Sequence, residues 1–231
     1  MKIILSFLLA INFGMLHANE NIHFDKVSID LTDQNSLQRG ARTFINYCLN
    51  CHSATYMRYN RLIDIGLSEQ MIKDNLLFTA DKVGDLMTVA MSAANSKEWF
   101  GVTPPDLSVV VRSRGSDWIY SYMRGFYRDK SREMGWNNSV LLNSAMPHVL
   151  WELQGEQEID HKTNRLFLHK SGKLTINEYD ALITDLTNYM AYMSEPDQLK
   201  RKRMGFYVVG FLFFLLFLSI NLKKEFWRDI K

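Results

Sequence analysis

The sequence predicts a mainly α-helical protein: an exported helical domain followed by a single membrane-spanning helix near the C-terminus. Three observations carry that reading. Leu37, Ala41, Phe44, Ile45 and Cys48 recur at the spacing of one helical face. A second helix is framed from Ile176 to about Ser194, with a Thr175/Glu178 capping box before it and Pro196 after it. Finally, Met204 to Leu222 contains no charged residue. As a helix rising about 1.5 Å per residue, that run nearly covers a hydrocarbon layer of roughly 30 Å.

From the N-terminus, Lys2 is followed by a short apolar run that closes at Met15-Leu-His-Ala18. One positive charge, a short apolar core and a small residue at the end match a cleaved secretory signal over residues 1–18. Residues 19–199 then form the exported domain, 200–203 a basic tether, 204–222 the span and 223–231 a cytoplasmic tail. Basic residues flank the span on both sides, so the orientation follows from the signal and not from their count. This places the domain on the periplasmic side of a bacterial-type cytoplasmic membrane. Asn19 to Leu199 holds 18 Lys and Arg against 23 Asp and Glu, a formal charge of −5. Such a surface argues against nucleic acid as a partner and favours a basic protein.

The two cysteines, Cys48 and Cys51, lie in this oxidising setting. A disulfide between them closes too small a loop to stabilise much. A zinc site needs two further ligands, and no second Cys-x-x-Cys or closely spaced His pair supplies them. The third reading uses the next residue too: Cys48-Leu-Asn-Cys51-His52 is the signature for covalent attachment of haem c. The thiol spacing matches two vinyl groups on one edge of the macrocycle, and the adjacent imidazole of His52 turns under the iron. Gly40 lies inside the helix leading to this site, at a cost of about 1 kcal/mol in helix propensity. That cost is tolerable where another helix crosses closely, and Tyr189 of the second helix is the expected neighbour.

A low-spin electron carrier needs a second axial ligand, and thioether sulfur raises the potential. Met146 is the choice among twelve methionines, because Pro147 ends regular helix and presents the sulfur from an irregular segment. Met123, Met134 and Met91 are the alternatives, with His148 as the chemical one; it is otherwise expected at the surface or in a subunit contact. Tyr56, Tyr59, Trp99, Phe100 and Trp136 are expected to wall the cofactor from water. Glu152, Glu156, Glu158 and Asp160 form an acidic cluster able to steer a basic partner. The stretch from Leu62 to Trp99 has weak helical periodicity and no assigned role.

Several stretches together resemble the cytochrome c₁ family, the haem subunit of the ubiquinol:cytochrome c oxidoreductase or bc₁ complex. They are Cys48 to Leu62, the Pro104-Pro-Asp-Leu-Ser block through Arg112-Ser-Arg-Gly115, Gly135-Trp-Asn-Asn138, Met146 to Gly155, and the Glu195-to-Gly205 tether. The resemblance implies a class I cytochrome c-like haem domain with insertions, and Met146 as the ligand-bearing position. It also implies that Arg114, and secondarily Arg112, pairs a haem propionate beside Trp118. Pro104 or Pro105, with Pro105 preferred, would give a backbone carbonyl to the His52 ring N–H. The implied partners are cytochrome b, a Rieske iron–sulfur subunit and a cytochrome c acceptor, in a dimeric complex. The chain itself then makes or breaks no substrate bond. Three other readings remain: a free-standing tethered cytochrome, a haem-free protein exchanging disulfides at Cys48 and Cys51, and a haem enzyme with an open coordination site.

Overall fold

The computed structural model describes residues 24–89, 91–160, 162–163 and 165–229; the proposed signal over 1–18 lies outside them. Helix α1 (Gln34–Thr43) starts on Asp33, whose side chain accepts from the Ser36 N–H. Its last turn widens into a π-helix over Phe44–Cys48. Strand β1 (Ala54–Arg58), a 3₁₀ stretch (Tyr59–Ile65) and α2 (Glu69–Asn75) follow. The short β2 (Leu86–Met87) pairs antiparallel with β1, and α3 (Ala93–Phe100) comes next. Helices α4 (Val110–Arg114) and α5 (Ser116–Arg124) lead into the antiparallel pair β3 (Phe126–Arg128) and β4 (Trp136–Asn138). The one-turn α6 (Trp151–Gln154) precedes a long hairpin, β5 (Gly155–Asp160) with β6 (Arg165–Ser171). Helix α7 (Ile176–Ser194) crosses the domain, and α8 (Gln198–Phe226) leaves it.

The core is organised by the crossing of α1 and α7. A Cβ added to Gly40 would lie 2.1 Å from the Asp185 carbonyl oxygen and 2.7 Å from Tyr189 Cβ. Only a glycine lets the two backbones approach this closely. The apolar face predicted for α1 is buried, with Leu37, Ala41, Phe44 and Ile45 at 2% exposure or less. The Phe44 ring meets Tyr189 at 5.6 Å. The Thr175/Glu178 capping box of α7 is fully formed. Burying these apolar side chains contributes on the order of 1.5–3 kcal/mol each.

The stretch from Leu62 to Trp99 is not a loose loop. Leu62, Ile65, Ile72 and Met87 are buried in the common core. Tyr192 of α7 donates to the Arg61 carbonyl at 2.8 Å, and the Tyr189 hydroxyl meets Met87 Sδ at 3.7 Å. Short helices packed on their neighbours, not on a repeating face, explain the weak periodicity there.

Helix α8 is 29 residues long, and none of its residues is buried. Its apolar stretch has a mean hydropathy of 2.2, and the side chains of Phe211 to Leu218 are 46–68% exposed. In water such a surface would be costly, whereas lipid accommodates it. The basic residues Lys200 to Arg203 belong to the first turns of this same helix.

Candidate cofactor site

The π-helical turn sets up the site. Widening of the helix at Phe44–Cys48 lets the Leu49 N–H bond the Phe44 carbonyl at 3.0 Å. The Cys51 and His52 N–H groups then fold back onto the Cys48 carbonyl at 3.1 and 2.8 Å. Both thiols and the imidazole therefore face one cavity of about 610 Å³, within the roughly 300–1,000 Å³ range of cofactor sites. Cys48 is buried, Cys51 half-buried, and the two are not bonded to each other. Burial pushes the Cys48 thiol up to about 12, with the neighbouring Cys51 adding to it, and raises Cys51 too. A dithiol used for disulfide exchange needs the opposite shift. Among the described residues no group of three or more His, Cys, Asp and Glu is arranged to hold a metal ion.

His52 Nδ1 lies 2.7 Å from the Pro105 carbonyl oxygen. As donor to that carbonyl, Nδ1 carries the proton and Nε2 is left with its lone pair for the cavity. Burial holds the imidazole below its usual range, so it is neutral at pH 7. Asp106 explains why the Pro-Pro-Asp-Leu-Ser block is needed. Its carboxylate accepts from the Thr55 N–H and hydroxyl, both at 2.9 Å, and from the Ser108 N–H at 2.8 Å. The Leu107 N–H donates to Ser53 O at 2.9 Å, and the Tyr56 N–H to Ser108 Oγ at 3.0 Å. The Pro105 carbonyl is thereby fixed against the chain that follows His52. Burial works against the Asp106 charge, but the bonds from Ser108 and Thr55 prevail and hold the carboxyl below its usual range.

Met146 lines the same cavity. Its sulfur receives a hydrogen bond from the Tyr122 hydroxyl at 3.5 Å, and that hydroxyl is 2.8 Å from Ser144 Oγ. The irregular segment carrying Met146 is held by Asn138, fully buried, whose amide donates to the Tyr122 carbonyl and accepts from the Val140 and Leu141 N–H groups. Met123 also lines the cavity, from α5, whereas Met134 and Met91 do not.

Arg114 and Trp118 line the cavity as well, with the guanidinium 5.3 Å from the centre of the indole ring. Arg114 has no carboxylate partner among the described residues, so its charge is available to an anionic group there. Arg112 does not line the cavity. It lies towards Glu195, whose carboxyl is held down first by Arg201, then by Gln198, with Arg112 a weaker contributor.

Other expectations need correction. Of the five aromatics expected to wall the cavity, Phe100 alone lines it. Tyr56 is 79% and Trp99 59% exposed. Tyr59 is buried elsewhere, bonded to Thr79, and Trp136 lies under Arg128. The walls include Trp118, which the family resemblance had placed there, Leu186 and Met190 from the apolar face of α7, and Ile119 and Tyr122 of α5, which no local sequence signal marked. His148 is not a surface residue and does not line the cavity. It is 1% exposed, stacked on Phe126 at 4.9 Å and set edge-on to Trp136 at 5.0 Å, with the ring nitrogens lacking hydrogen-bond partners among the described residues. Burial pushes its pKa down to about 4. The acidic cluster is largely neutralised where it stands. Glu156 pairs with Arg128 and Lys170, Glu152 with Lys173, and Glu158 lies 3.8 Å from His169.

A free dithiol and a neutral, oriented imidazole open onto an apolar cavity that also holds a thioether and an unpaired arginine, and these groups fit a covalently held haem. Together with the exposed apolar helix, they define a membrane-anchored c-type cytochrome. The chain belongs to the cytochrome c₁ family: the model of that family matches residues 23–85 and 82–230. It is 45% identical to a cytochrome c₁ of Allochromatium vinosum over 99% of this chain and 98% of that one. It is 48% identical to a protein of Nitrosomonas europaea named as an ammonia monooxygenase gamma subunit, over 99% and 98% of the two chains. A cytochrome c₁ of Rhodospirillum rubrum is 28% identical over 86% of this chain and 83% of its own length. The chain accordingly carries one haem c, attached through Cys48 and Cys51, and serves as the haem subunit of a bc₁ complex in respiratory electron transport.

Proposed function

We propose that this chain takes single electrons from a Rieske-type iron–sulfur subunit and passes them to a soluble or tethered cytochrome c. On this reading His52 and Met146 would hold the iron, while Arg114, with Trp118 beside it, would hold a propionate. The single observation that carries the reading is the cavity shared by His52 and Met146. Bound haem supplies a one-electron couple and a conjugated edge for outer-sphere transfer. The protein's part is to orient the His52 ring through Pro105, offer the Met146 thioether as a second, weak donor, and exclude water with apolar walls. Arg112, placed towards Glu195, belongs to the tether and not to the propionate site.

The same reading gives residues 1–18 as a signal, 19–199 as the haem domain on the periplasmic side, 200–203 as a basic tether, 204–222 as the span and 223–231 as a cytoplasmic tail. Cytochrome b is the proposed neighbour in the membrane, within a dimeric complex. Met146→Leu tests the ligand assignment: the reduced variant is expected to bind carbon monoxide, which the parent does not. An unchanged spectrum in the variant removes Met146 from the iron. Co-purification with a b-type cytochrome and an iron–sulfur protein, with quinol-dependent reduction of cytochrome c, separates a bc₁ subunit from a lone tethered cytochrome. Ammonia oxidation by the purified complex, without quinol oxidation, would instead favour the activity in the name of the Nitrosomonas relative.

A further inference from the structure

We propose that Tyr122 is a positioning residue that sets the electron-donor strength of Met146, by donating a hydrogen bond from its phenol to the thioether sulfur. The inference rests on Met146 being an axial ligand. A thioether sulfur has two lone pairs, so one can bind a metal while the other accepts a hydrogen bond. The Tyr122 hydroxyl is 3.5 Å from Met146 Sδ and 2.8 Å from Ser144 Oγ. Sulfur has no proton to give, so on that contact Tyr122 must be the donor. A phenol has one proton, so Ser144 must donate to the tyrosine oxygen. The result is a relay, Ser144 O–H to Tyr122 O–H to Met146 Sδ, in which each bond polarises the next.

The relay is fixed on both sides. The Tyr122 ring is stacked on Trp118 at 4.9 Å and 8° and meets Phe126 edge-on at 5.1 Å, and Tyr122 is only 8% exposed. Ser144 is anchored through its own oxygen, which also faces the Met146 N–H at 3.4 Å. A hydrogen bond to sulfur withdraws electron density that the ferric state needs more than the ferrous state. It therefore favours reduction, and hydrogen bonding around the ligand is a recognised lever on haem potential.

Tyr122→Phe keeps the ring and its stacking and removes only the hydroxyl. In the purified complex its midpoint potential is expected to fall by about 30–60 mV. This is a roughly threefold to tenfold loss in the equilibrium constant for reduction, at about 59 mV per tenfold for one electron. The weak far-red thioether-to-ferric-iron band should shift without vanishing, and the pyridine spectrum should stay that of the parent. Ser144→Ala should lower the potential by a smaller amount, because the relay loses its first donor. An unchanged or higher potential in Tyr122→Phe overturns the inference. So does a higher potential in Ser144→Ala, since that would mean the phenolic proton rests on Ser144, and this variant decides alone if Tyr122→Phe does not accumulate. Met146→Leu measured alongside separates the two failures: if it leaves the spectrum intact, the ligand reading itself has failed. If it opens the iron while Tyr122→Phe leaves the potential unmoved, the relay alone is wrong.

Discussion

Asp106 shows how one carboxylate fixes an imidazole it never touches. It accepts three hydrogen bonds from Thr55 and Ser108 and so holds the Pro105 carbonyl on the His52 ring. Asp106→Ala leaves those donors without their acceptor and frees the carbonyl. We expect such a variant to keep both thioether bonds but to lose stability by about 1–3 kcal/mol and to show a raised midpoint potential, because the imidazole without its fixed carbonyl is a weaker electron donor. Thermal denaturation and redox titration check the two effects separately. At this scale the attachment motif could be named from a local pattern, and Met146 and the Pro105 carbonyl through the family resemblance. Asp106, Tyr122, Ser144 and Asn138 could not. Apart from contacts within three residues, their partners lie 16 to 51 residues away, and ordinary polar residues carry no mark of such pairings. His148 misled for the same reason: an imidazole beside Pro147 reads as surface until Phe126 and Trp136 close over it.

Among the elements, the α1–α7 crossing is the most sensitive. Gly40→Ala would place a methyl group 2.1 Å from the Asp185 carbonyl oxygen, so the helices must separate along their whole contact. The expected loss is about 3–5 kcal/mol, enough that the haem-stained chain should scarcely accumulate in membranes. This crossing was legible because a glycine within an apolar helical stripe has few other uses. The π-helical turn over Phe44–Cys48 was not, since its buried stripe has the same spacing as an ordinary helix. The acidic cluster reads as a steering surface in the sequence because its cations do not stand beside it there: Arg128 comes from β3, Lys170 from the facing strand β6 and Lys173 from just after that strand. Glu156 is held down to about 2, first by the Arg128 hydrogen bond and also by Lys170. Its contribution to stability is complete above the usual glutamate range and is lost as pH falls from about 4.5 towards 2. Near-ultraviolet circular dichroism should therefore show an acid transition in the parent over that window that is absent in Glu156→Gln.

For the whole molecule, the internally paired hairpin leaves a formal −5 on the predicted exported domain with little of it concentrated in one charged face there. Replacing Glu152, Glu156 and Glu158 together by glutamine should change the rate of electron transfer to a basic cytochrome c by less than about twofold at physiological salt. Stopped-flow measurement over a range of ionic strength checks this, and a severalfold drop would restore the steering role. The division into haem domain and apolar helix was plain from hydropathy. What hydropathy did not reveal is that the basic segment is helical from its start. After Ser194, only Glu195 to Asp197 separate α7 from α8. That joint is clasped by Arg201 on Glu195 and by Arg61 and Lys200 on Asp197. A rod about 43 Å long by helical rise thus meets the globular head through a three-residue corner rather than a slack leash. Such a mounting keeps the redox centre at a set height above the lipid, so whatever travelling the relay of electrons requires falls to the donor and the acceptor.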